Sequence, residues 1–398
     1  MAMIASSRAP LEAGSSDSER SPFVRLNELL APHQPGKPLI TLAVGEPQHP
    51  VPDFVGPVLA KHIADFGRYP MNQGTEPFRK AASAWLSSRF KLPRPLDPAG
   101  EILVLNGSRE GLFLAAITAA RYVGPRPGKP AILMPNPFYP VYGAGARAAA
   151  CEPVYLPTTV ENGFLPDLDG IPEADSRRAG LLICGYPNNP TGAVADVAFF
   201  ERLATWGLQR GVPICHDNAY AELTYDGIVA PSFLSAPSAR EAGIEIYSLS
   251  KSLSMPGWRV AFAVGNAELI GRLRTLKTNV DAGMWLAMQH TVIRALEMVP
   301  SFTAGLRELY GRRRDLLCDG LDRLGLDFVR PTGALYVWVR VPGGGGSVAF
   351  AERLLEEVAV VVGPGAAYGP ASDGYVRLSL TVADERLGEA VERIARVL

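Results

Sequence analysis

The sequence predicts an α/β protein, with a large, mostly parallel sheet covered by helices beside a smaller α+β domain. Three observations carry that reading. Short continuous apolar runs alternate with longer amphipathic stretches from about residue 100 to 290, the pattern of strands buried on both faces by crossover helices. Beyond a long helical region the texture changes to alternating strands and short helices. A composition of 47% hydrophobic and 20% charged residues over 398 positions is a globular balance, with length for two or three domains.

Taken in order, residues 1–20 (MAMIASSRAPLEAGSSDSER) lack the apolar centre of a signal peptide and read as a disordered tail. ILVLN (102–106) predicts a strand and 109–123 a helix; AILMP (131–135) predicts a strand, with a helix through 140–150. LLICG (181–185) is a strand before the helix 196–211, and VPICHD (212–217), IEIYSL (244–249) and RVAFAVG (259–265) are further strands. A helical region runs from about 267 to 324, followed by GALYVWVRV (333–341), a glycine run, a short helix, VAVVVG (358–363), YVRLSL (375–380) and a final helix. The GGGG at 343–346 lacks the lysine of a P-loop and reads as a turn. The expected domains are 50–289 for the large one and 21–49 plus 290–398 for the small one.

A net charge of −1 gives no basic field for nucleic acid, and no run of about 18 apolar residues suggests a membrane span. Cys151, Cys184, Cys215 and Cys318 are far apart and form neither a metal-ligand pattern nor a disulfide framework. A cytoplasmic enzyme without a metal is the expectation.

Ligands of open α/β sheets sit beyond the carboxyl ends of the strands. Five such places stand out. Asn106–Arg109 opens a helix and could bind an anion, or be a plain N-cap. YPNNPTG (186–192) is a rigid turn that could hold an asparagine amide against a ligand. DNAY (217–220) sets a carboxylate at a strand end with a tyrosine three residues on. In YSLSKSLSMPGWR (247–259), Lys251 is flanked by serines and followed eight positions later by Arg259. Arg377, within an alternating strand, calls for an anionic partner.

Individually each has an ordinary structural explanation. Together, VGEP (44–47), YPMNQG (69–74), NGSREGLF (106–113), NPFYPVY (136–142), PNNPTG (187–192), DNAY (217–220), SLSKSLSMPGWR (248–259) and VRLSL (376–380) stand in one order. In them the chain resembles the fold-type I pyridoxal-phosphate aminotransferases of class I/II, whose fold has a seven-stranded-type sheet. The resemblance implies pyridoxal 5′-phosphate as cofactor, an amino acid and a 2-oxo acid as substrates, and a homodimer with a shared active site.

It also implies roles. Lys251 would bond the cofactor aldehyde and later move a proton. Asp217 would pair with the ring nitrogen, Tyr220 and Asn189 with the ring oxygen, and Tyr139 would stack on the ring. Ser108, Arg109, Ser248 and Arg259 would hold the phosphate, with the alternative at Arg109 that its side chain points away and leaves its N–H in place. Ser250 is a further candidate there. Tyr69 would reach the neighbouring subunit's phosphate. Arg377 would clamp the substrate α-carboxylate, with Gly45 letting the backbone approach it. Trp258 and Tyr336 read as core aromatics, with the pocket as the alternative. Stretches such as 42–54 and 135–157 look most like the N-succinyldiaminopimelate aminotransferases, with glutamate as one partner, whereas 276–289 looks more like the diaminopimelate and alanine types. A carbon–sulfur lyase on the same fold is a further alternative.

Overall fold

The computed structural model describes residues 28, 31, 33, 35–47 and 49–398, so the tail expected over 1–20 lies outside the described residues. Twelve strands are described: β1 (Ile40–Thr41), β2 (Ile102–Leu105), β3 (Ala131–Asn136), β4 (Glu152–Pro157), β5 (Ala179–Gly185), β6 (Ile214–Asn218), β7 (Gly243–Ser248), β8 (Ala261–Gly265), β9 (Tyr336–Arg340), β10 (Val360–Val361), β11 (Gly363–Pro364) and β12 (Tyr375–Ser379). The principal helices are α1 (Glu76–Phe90), α2 (Ser108–Tyr122), α3 (Val141–Ala148), α4 (Val197–Arg210), α5 (Ala267–Lys277), α6 (Leu286–Arg323), α7 (Ser347–Val358) and α8 (Asp384–Ile394).

The large sheet has seven strands in the order β2-β8-β7-β6-β5-β3-β4, and β8 runs antiparallel to both its neighbours. Its strands are buried on both faces because alternate side chains enter two different cores. Val104, Leu182, Ile214 and Phe262 face the core shared with Phe78 of α1 and Phe200 of α4. Leu103, Ile183, Cys215 and Ala263 face the core shared with Leu112 of α2 and Ala146 of α3. Helix starts are fixed by side-chain caps: Asp196 Oδ1 accepts the Phe199 amide at 2.7 Å, and Asn266 Oδ1 accepts two amides of the first turn of α5.

A third core joins the small antiparallel sheet β11-β12-β9 and the two-residue pair β1-β10 to α7, α8 and the second half of α6. Two expectations are corrected here, and one strand is added. The helical region 267–324 is two helices, because Thr278–Trp285 leaves helical geometry around Gly283, whose φ is +96°. The run 358–363 contributes to two short strands rather than one, because Val360–Val361 pairs with β1 while Gly363–Pro364 passes to a different sheet and pairs with β12. Strand β4 (EPVYLP) went unread; it pairs in parallel along the outer side of β3. The turn expected at the glycine run is present, with Gly343 and Gly344 at φ +72° and +75°. Among the described residues no helix is long and apolar enough to cross a membrane.

Candidate active site

Strand register fixes where the site lies. Gly185 of β5 pairs with Asp217 of β6, Asn218 pairs with Tyr247 of β7, and Ser248 pairs with Ala261 of β8, which also pairs with Leu105 of β2. The carboxyl ends of four parallel strands and the start of the reversed one therefore share one edge, where a cavity of about 1510 Å³ opens. Every candidate cofactor or substrate residue named from the sequence lines it except Tyr69, which is 91% exposed and outside it.

Lys251 stands on a short helical turn (Leu249–Ser252) that Ser248 opens, its Oγ accepting the Ser250 amide at 3.3 Å. Both serines line the cavity. The Lys251 ammonium donates to the Gly45 carbonyl at 2.5 Å. Burial lowers its pKa; the nearby Tyr336 phenol opposes this and the Arg377 charge adds to it. Gly45 has no room for a side chain, because a Cβ there would lie 2.0 Å from the Tyr336 hydroxyl.

Asp217 ends β6 with one oxygen held and one orphaned. Tyr142 donates to Oδ2 at 2.9 Å, while Oδ1 is buried without a partner. Burial pushes the carboxyl up to about 6, against the pull of the Tyr142 bond. The preceding residue braces the strand: His216 Nε2 accepts the Tyr186 amide at 3.1 Å, so Nδ1 carries the proton and donates to the buried Glu245 at 2.9 Å.

Arg377 enters from β12 of the small sheet. It donates to Asn189 Oδ1 at 2.9 Å and to the Ala43 carbonyl at 2.6 Å, and its guanidinium lies 4.0 Å over the Tyr336 ring. Its Nε has no partner. Asn189 is held in a loop that Asn188 ties together by accepting from the Thr191 amide and hydroxyl at 3.1 and 2.9 Å. Tyr220 and Tyr336 share a hydroxyl–hydroxyl bond of 2.8 Å.

At the other end of the cavity, Gly107 leads into α2 at φ +96°, and a Cβ there would sit 2.2 Å from an Arg259 guanidinium nitrogen. Arg259, itself left-handed at φ +53°, donates to the Pro256 carbonyl at 2.7 Å. Ser108 and Arg109 open the fifteen-residue α2, where the positive end of the helix dipole, beside Arg259, favours an anion. The Arg109 side chain does not turn away: Nε and a terminal nitrogen donate to the Tyr139 hydroxyl at 3.0 and 2.9 Å. Trp258 lies in the core, as expected, whereas Tyr336 belongs to both core and pocket.

An anion cradle, a lysine amine of lowered pKa and a carboxylate with an unsatisfied oxygen fit the phosphate, aldehyde and protonated ring nitrogen of pyridoxal phosphate. Two residues here were given no role from the sequence. Tyr142 ends the stretch NPFYPVY but lies among the apolar residues of a helix, and Tyr368, whose ring lies 4.9 Å from the Arg377 guanidinium, sits in a turn without a motif.

Residues 37–394 match the family model described as aminotransferase class I and II. The chain is 41% identical to an LL-diaminopimelate aminotransferase of Moorella thermoacetica, covering 94% of this chain and 95% of that one. It is 42% identical to LL-diaminopimelate aminotransferase 2 of Trichormus variabilis, covering 90% and 91%. Among solved structures it resembles a probable N-succinyldiaminopimelate aminotransferase from Thermus thermophilus, with a TM-score of 0.86, 32% identity and coverage of 95% and 100%. It also resembles substrate-bound BacF from Bacillus, with a TM-score of 0.87, 32% identity and 94% coverage of each chain. The relatives named for unsubstituted diaminopimelate are thus closer than the one named for the N-succinyl form, which moves the substrate reading away from the one favoured by residues 42–54 and 135–157. The chain belongs to the class I and II aminotransferases, and it is an amino-group transferase that works with pyridoxal 5′-phosphate.

Proposed function

We propose that the chain transfers an amino group from a diaminopimelate-type amino acid, with glutamate and 2-oxoglutarate as the other pair. The observation that carries the substrate is the identity of 41% to 42%, over at least 90% of the chain, to relatives named for LL-diaminopimelate. The cavity is consistent with it: besides Arg377 its wall carries Glu46 and Arg147, opposite charges of the kind a second ammonium and carboxylate require.

Pyridoxal phosphate, when bound, supplies an electron-withdrawing ring that stabilises negative charge at the substrate α-carbon. The chain's residues do the rest. Arg377 takes the α-carboxylate in a bidentate, charge-assisted grip, with the Gly45 backbone close by. The Lys251 amine, whose pKa burial lowers, moves the proton off the α-carbon. Asp217, with its orphaned oxygen, would pair with the ring nitrogen and keep that nitrogen protonated. Tyr220 and Asn189 would hold the ring oxygen, and Tyr139 would stack on the ring. Ser108, Arg109, Ser248 and Arg259 hold the phosphate. The chain acts as a homodimer in which Tyr69 serves the neighbouring subunit's phosphate; an exposed tyrosine amid the exposed Ile63, Phe66 and Met71 supports that reading.

A donor panel tests the substrate. With 2-oxoglutarate as acceptor, LL-diaminopimelate is expected to give a kcat/KM at least tenfold above alanine, aspartate or N-succinyldiaminopimelate. A preference for the N-succinyl compound would overturn the assignment.

A further inference from the structure

Behind the anion cradle lies a cluster of charges that none of the assigned roles uses. Lys277, in the last turn of α5, is fully buried. Its ammonium lies 2.5 Å from both oxygens of Asp281 and 3.3 Å from Glu110 Oε1. The two carboxylates then reach the same residue. Glu110 Oε2 accepts the Asn106 backbone amide at 2.6 Å, and Asp281 Oδ2 accepts the Asn106 side-chain amide at 2.9 Å. Asp281 Oδ1 also takes the Gly283 amide at 2.7 Å, which anchors the break between α5 and α6. Asn106 is thereby pinned at its main chain and its side chain, one residue before Gly107, against which Arg259 packs, and two before Ser108.

A buried ammonium held by carboxylates is expensive to assemble, and simple packing of α5 on α2 would be served as well by apolar residues. Two carboxylates near a phosphate site also need offsetting. Lys277 offsets one, and burial, reinforced by the hydrogen bond that the protonated Glu110 carboxyl donates to Asp281, pushes Glu110 up to about 7, which moderates the other. We infer that Lys277, acting through Asp281 and Glu110, is a positioning residue: it holds the Asn106–Ser108 turn in the shape that grips the cofactor phosphate. The inference rests on the reading of that turn and Arg259 as the phosphate site.

The test compares affinity for pyridoxal 5′-phosphate with affinity for pyridoxal, which lacks the phosphate, measured on cofactor-free protein by absorbance and fluorescence titration. Lys277→Met is expected to weaken pyridoxal 5′-phosphate about tenfold or more and pyridoxal less than twofold. Asp281→Asn, which keeps the volume, is expected to do the same in lesser degree and provides the readout if Lys277→Met does not fold. Equal weakening of both ligands, or of neither, in the folded variants would overturn the inference. Arg259→Gln separates the two levels. If it too fails to distinguish the ligands, the phosphate site itself is misassigned; if it distinguishes them and the Lys277 and Asp281 variants do not, the positioning role alone falls.

Discussion

Asp217 concentrates the chemistry of the site in one side chain. It is 8% exposed, with one oxygen on Tyr142 and the other on nothing. Its pKa in the folded chain, about 6, lies above the ordinary 3.8. The stabilisation linked to its proton is therefore complete below pH 3.8 and lost as the pH rises through 6. At neutral pH the cofactor-free chain carries an uncompensated buried charge that a cationic ring nitrogen would relieve. Cofactor-free Asp217→Asn is accordingly expected to gain about 3 kcal/mol over the wild type at pH 8 and well under about 1 kcal/mol at pH 4, while losing turnover; denaturant unfolding at the two pH values measures this. The carboxylate was legible because it ends an apolar run. Tyr142, which restrains it, was not: a tyrosine on a short helix carries no sign that its hydroxyl will meet a strand end 75 residues away.

At the scale of elements, the loop after β5 illustrates how close packing supports chemistry. Gly192 sits at φ +73°, and a Cβ there would lie 2.4 Å from Pro331 and 2.8 Å from the Gly333 carbonyl. The Gly333 amide in turn donates to the Gly192 carbonyl at 3.0 Å. The loop that carries Asn189 is thus docked on the segment leading into β9. Gly192→Ala combines left-handed strain with a backbone collision and is expected to cost about 2–4 kcal/mol of stability, read as a fall in melting temperature. It should also weaken substrate carboxylate binding, since Asn189 positions Arg377. Elements with a plain signature were legible from the sequence: β2, β5, β6 and β7 were each predicted within two residues or fewer of their observed ends. Strand β4 was not, because two prolines in six residues argue against a strand unless it lies at an edge, as this one does. The break between α5 and α6 was not either, since it depends on Asp281 meeting Lys277 and Asn106 rather than on local propensity.

At the scale of the molecule, one apolar surface stands out. Ile63, Phe66, Tyr69 and Met71 are 64%, 56%, 91% and 54% exposed, and the Phe66 ring meets that of Trp285 edge to face at 4.9 Å. Such a patch is the mark of an interface. The chain is expected to run in light scattering at twice its 42.6 kDa. The double variant Ile63→Asp, Phe66→Asp is expected to shift it to a monomer with at least a hundredfold loss of turnover; an active monomer would remove Tyr69 from the site. Strand β1, from the amino-terminal segment, returns to pair in parallel with β10, near the other end of the chain.

The reversed strand β8 has a consequence of its own. Lys251 and Arg259 sit on one connection whose two ends are stapled side by side by the Ser248–Ala261 pairing. On the roles proposed for them, the span between the Lys251 amine and the Arg259 guanidinium is a fixed gauge, suited to one length of cofactor. Arg377, Glu46 and Arg147 lie on other segments, so redesign can resize the substrate's share of the cavity and leave that gauge untouched.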